Sequence, residues 1–123
     1  MNSNNFDQIV TNRLIQIKKV LGIKAIEYSQ DNDRLHNFKI AARLKNETPA
    51  KALWGIAVKH LVSVEDLIEG RLNASPEMVN EKVGDMINYL VLLETIFAEN
   101  YPADFKVEQE YPPSHNLGAI NES

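Results

Sequence analysis

Two carboxylates one helical turn apart, Glu81 and Asp85, lie inside a strongly apolar run and mark where this chain is best equipped for chemistry. In a helix Glu81, Asp85, Asn88 and Leu92 share one narrow stripe. Most neighbouring positions are apolar, among them Met78, Val83, Met86, Ile87, Tyr89, Leu90 and Leu93. The helix carrying the stripe is therefore expected in the middle of a helical packing, apolar on nearly every side. Two carboxylates so placed repel each other and lose hydration, so something must compensate. A divalent cation held by carboxylate oxygens would do so, with Mg²⁺ or Mn²⁺ the best fit. Basic side chains such as Lys82, Lys59 or Arg34, in structural salt bridges, would do so equally.

The preceding helix offers a related pattern. Leu53, Ile56, Ala57, Leu61, Val64 and Leu67 form its apolar arc, with His60 on one margin. Ser63, Lys59 and Asp66 extend from that margin into the polar face. If the two helices pair through their apolar arcs, His60, Ser63 and Asp66 meet Glu81, Asp85 and Asn88. Each residue also has a plain reading: His60 as a hydrogen-bonded core histidine, Asn88 bonding nearby backbone, Trp54 as core, and Asp31 and Asp33 as turn formers.

Four helices position these groups. The first is predicted from about Phe6 to Ile26, with Phe6, Val10, Leu14, Ile17 and Leu21 on one face, Arg13 mostly off it, and Gly22 a weak point. A polar loop, Tyr28 to Asp33, leads to a short helix around Leu35 to Leu44. The third starts at a Thr48 cap with Pro49 in its first position and runs to about Glu69, where Gly70 supplies a stop. The fourth starts at Ser75 with Pro76 and Glu77 and reaches about Asn100, ahead of Pro102. The expectation is an all-α, four-helix bundle-like domain over residues 1–101, followed by an extended or disordered tail over 102–123.

Composition narrows the function classes. The chain has 123 residues, enough for one domain, with 44% hydrophobic and 24% charged residues and a net charge of −4. Its 13 basic residues are scattered, which makes nucleic acid an unlikely partner. It holds no cysteine, which excludes thiol catalysis and cysteine-ligated zinc. No signal peptide or membrane-length apolar run is present, and a cytoplasmic location is expected.

The run from Glu81 through Asp85 to Leu93 resembles the last core motif of the all-alpha NTP pyrophosphohydrolases, the MazG-like superfamily. There a Glu and an Asp about one turn apart precede an apolar stretch that often includes a Tyr. The wider pattern resembles the phage-associated nucleotide-modification-associated domain family. It pairs Tyr28 with Asn37-Phe38, then sets Lys59-His60, Ser63 and Asp66 on one helix and Glu81, Asp85 and Tyr89 on the next. The departures are specific. The Glu-Glu-x-x-Glu motif of MazG-like enzymes is matched only by Glu65-Asp66-x-x-Glu69, and Lys82 stands where their second motif has Glu.

The resemblance implies a MazG-like fold and a nucleoside triphosphate as ligand. Mg²⁺ (or Mn²⁺) would be held by Glu81, Asp85 and Asp66, and would polarise phosphate and a bound water. Lys59 or Arg34 would neutralise phosphate charge, and His60 would orient a ligand or act as acid–base. Tyr28, Asn37 or Asn88 would read base or sugar. It also implies a homo-oligomer, dimer or tetramer, in a phage or prophage setting. The altered motifs favour a second reading, in which a non-catalytic accessory module binds a nucleotide, a nucleotide signal or a host protein. In a third, the stripe is an internal salt-bridge network.

Overall fold

A computed structural model describes residues 1–23 and 33–100. Four α-helices make up this region, and no strand occurs among the described residues. They are α1 (Ser3–Lys18), α2 (His36–Lys45), α3 (Pro49–Ile68) and α4 (Pro76–Asn100). The architecture is all-α and bundle-like. No helix among the described residues is long and apolar enough to cross a membrane.

Local chemistry explains the boundaries. Asn2 caps α1, its side chain accepting from the Asn5 amide at 2.8 Å. Beyond Lys18 the chain continues through Lys19–Ile23, where Gly22 leaves the helical path at φ −90°, ψ −108°. The weak point expected at Gly22 is thus a break, while the expected end at Ile26 lies outside the described residues. Asp33 organises the entry to α2, accepting from the Leu35 amide at 3.0 Å and from Lys39 Nζ at 2.7 Å. Asn46, left-handed at φ 53°, closes that helix. Thr48 caps α3 with Pro49 behind it, and Ser75 Oγ accepts from the Met78 amide at 3.2 Å at the start of α4. Gly70, at φ 76°, lets the chain turn out of α3 where a side chain would be strained.

The core gathers where α2, α3 and α4 meet. Leu35, Leu53, Ala57, Met86 and Ile96 are buried there, with Phe38, Val64, Tyr89 and Leu92 packed against them. Leu53 is the one large side chain fully enclosed among the described residues. Two expectations need correction. The α4 helix is not covered on every side, because Leu90 and Phe97 remain half exposed. The apolar stripe of α1 is also open, and none of its residues is buried, because among the described helices its main contact is with α4 and only over a short stretch.

Candidate functional site

The pairing of α3 with α4 brings His60 to Asp85. His60 Nδ1 lies 3.4 Å from Asp85 Oδ2, and both side chains are partly shielded. Their helices make this contact because each residue stands on the margin of an apolar arc and the two arcs pack together. Tyr89, one turn beyond Asp85, lies against the histidine with ring centroids 4.7 Å apart and planes tilted by 35°. Burial pushes the Tyr89 phenol above its ordinary value, and the nearby Asp85 charge adds to the effect.

Asn88 completes the group. It stands one turn from Asp85 on the same face of α4, and its Oδ1 is buried with no hydrogen-bond partner among the described residues. Two acceptors, an imidazole and a phenol ring are thereby gathered on adjoining turns. A donor-rich planar molecule would complement them.

The other expected ligands are dispersed. Asp66 is engaged by Arg71, whose Nε donates to Oδ1 at 2.7 Å, and its carbonyl accepts from the Arg71 and Leu72 amides. It closes the end of α3. Ser63 Oγ donates back to the Lys59 carbonyl within its own helix at 3.3 Å. Glu81 is exposed, and its nearest cation is its sequence neighbour Lys82 at 3.5 Å. Asp85 therefore pairs with His60, and neither Lys59 nor Arg34 takes the structural role open to it in the sequence.

Among the described residues no group of three or more His, Asp or Glu side chains is placed to hold a metal ion. Asp66, Glu81 and Asp85 as arranged do not fit a resident Mg²⁺ or Mn²⁺ cage, since one is occupied by a guanidinium and one faces solvent. Arg34 Nη1 donates to the Leu21 carbonyl at 3.0 Å, and Lys59 and Asn37 are exposed. Tyr28 lies outside the described residues.

One contributor escaped the sequence reading. Arg13, expected off the working face of α1, points at α4, donating from Nη2 to Asn80 Oδ1 at 2.8 Å and covering Gly84. The signal was present: Arg13 falls three residues after Val10 and four before Ile17, in the middle of the apolar stripe. A cation there needs a polar groove opposite, and Asn80 and the side-chain-free Gly84 make one.

The chain matches no family model, no curated protein and no solved structure. The resemblance to MazG-like proteins rests on the quoted residues alone.

Proposed function

We propose that this chain is a nucleotide-binding protein whose ligand lies against His60 of α3 and Asp85, Asn88 and Tyr89 of α4, and that it binds without hydrolysing. The observation that supports this reading is the buried, unpartnered Oδ1 of Asn88, one helical turn from the Asp85 that pairs with His60. An orphaned acceptor costs about 1–3 kcal/mol, and an arriving N–H or O–H donor removes that cost. A nucleobase or ribose brings such donors for Asn88 and Asp85, and a base also brings a flat face for the Tyr89–His60 pair. The choice of nucleotide over other planar donors comes from the resemblance of the Glu81–Leu93 run to nucleotide-handling proteins.

The dispersed carboxylates argue against a hydrolytic centre. In this reading Mg²⁺ accompanies the ligand, since that ion is usually held by one or two carboxylates together with phosphate oxygens. Glu81, exposed at the start of the stripe, is the carboxylate available to it. A homo-oligomer working in the cytoplasm, of a host cell if the chain is phage-encoded, completes the proposal.

The test is a thermal-shift series on the full chain with nucleotides, each with and without Mg²⁺ or Mn²⁺. Ligand at ~100 times its dissociation constant should add ~2.7 kcal/mol, several degrees for a domain this size. The shift should vanish in Asp85→Asn, and no pyrophosphate should be released. A panel without any shift overturns the binding site, and pyrophosphate release overturns the non-catalytic assignment.

A further inference from the structure

The face of α3 opposite His60 is apolar and exposed among the described residues. Trp54, Val58, Leu61 and Val62 recur at the spacing of a single helical face on α3, and their exposures run from 39% to 51%. His60 lies about half a turn of the helix away from Val58. On α4, Leu90 and Phe97 are each 49% exposed as well. The four α3 side chains present roughly 300 Å² of apolar surface, within the range of a monomer's largest patch.

The α3 half of this face is complementary to itself. Set antiparallel on a second copy about a two-fold axis through Val58, α3 places Trp54 against the partner subunit's Val62. Gly55 then faces the partner subunit's Leu61, and a side chain added at Gly55 would touch nothing within 4 Å, so the knob has room. At the rim, exposed Lys51 meets the partner subunit's Glu65, and the symmetry repeats the pair. No ion pair among the described residues engages Lys51, and Glu65 is 66% exposed with a single 3.6 Å contact to Arg71. One axis thus satisfies the apolar stripe, the small-residue gap and both rim charges.

We infer that the chain forms a two-fold dimer through antiparallel packing of α3 on α3 of a second copy, centred on Val58. The interface is independent of the ligand face and stands whether or not a nucleotide binds there. The α1 stripe is the rival surface, with Phe6, Ile9, Val10 and Leu14 between 44% and 58% exposed, and the α3 face is preferred because its rim charges Lys51 and Glu65 are brought together by the same axis.

The chain contains no cysteine, so Val58→Cys introduces a single thiol at the axis. On mild oxidation it should convert to a disulfide-linked dimer, while Ser63→Cys, on the other side of α3, should not. By sedimentation the unmodified full chain should be dimeric. Lys51→Glu and Glu65→Lys should each raise the dimer dissociation constant about tenfold, since two symmetric rim pairs are lost, and the double reversal should restore it. Far-UV circular dichroism verifies that each variant is folded. A monomeric unmodified chain, equal cross-linking of both thiols, or dissociation by Leu14→Glu but not by Val58→Glu would overturn the inference.

Discussion

Arg13 lies over Gly84 so closely that a Cβ at position 84 would stand 2.5 Å from its Nη1. A glycine in mid-helix costs about 1 kcal/mol against alanine, and here the missing side chain makes room for a guanidinium. Gly84→Ala recovers that propensity but drives the guanidinium away from Asn80, losing a hydrogen bond worth about 1 kcal/mol. Global stability should therefore change by less than about 1 kcal/mol. Amide exchange along α1 should nevertheless accelerate, because its one anchoring hydrogen bond to α4 among the described residues is gone. Unchanged α1 protection would show that Arg13 does not hold the helix.

Asn88→Leu should separate stability from binding. It removes a buried acceptor that lacks a donor and adds apolar surface beside Leu92, so the free protein should gain about 1 kcal/mol. Nucleotide-induced stabilisation should be lost in the same variant. A loss of stability in the free protein would mean that Asn88 has a partner after all.

Core and surface leucines should diverge sharply. Leu53, 1% exposed, touches the packed centre of α2, α3 and α4, and Leu53→Ala should cost about 3 kcal/mol. Leu44, 83% exposed near the end of α2, should tolerate alanine within about 0.5 kcal/mol. Chemical denaturation of the two variants checks the contrast, and equal losses would relocate the core.

The Lys39 cluster predicts a pH window. Asp33 is held below the ordinary carboxylate value of 3.8, first by the Lys39 ammonium and then by the Leu35 amide. Its stabilising contribution is present above 3.8 and is lost as pH falls through the lowered value. Lys39, bridging Asp33 and Glu99 at 2.7 Å each, is raised above 10.5, first by Asp33 and then by Glu99. Its contribution is present below 10.5 and is lost as pH rises through the raised value. Urea midpoints against pH should lose part of their acid limb in Asp33→Asn and part of both limbs in Lys39→Met. Identical profiles would leave the cluster without energetic weight.

Local chemistry was the readable part of this chain. The starts of α3 and α4 were legible because Thr48-Pro49 and Ser75-Pro76 announce themselves within a few residues. The His60–Asp85 contact was legible because both residues stand on margins of arcs that had to pack together. Asp66, expected as a metal ligand, is engaged by Arg71, which follows only five residues later. A carboxylate in the last turn of a helix is readily taken by a cation just beyond it, ahead of any distant site. Lys39 and Glu99 could not be joined from spacing, since the loops between them leave the register of α2 on α4 open.

The Arg13–Asn80 contact joins residues 67 positions apart, and this governs when α1 can find its place. On a ribosome adding about 5–20 residues per second, α1 emerges several seconds before the first turn of α4 exists. Through that interval Phe6, Ile9, Val10 and Leu14 have no surface of their own chain to meet among the described contacts of α1. Of the four described helices, α1 is made first yet can dock only once α4 has begun, so its apolar row stays open for that whole interval.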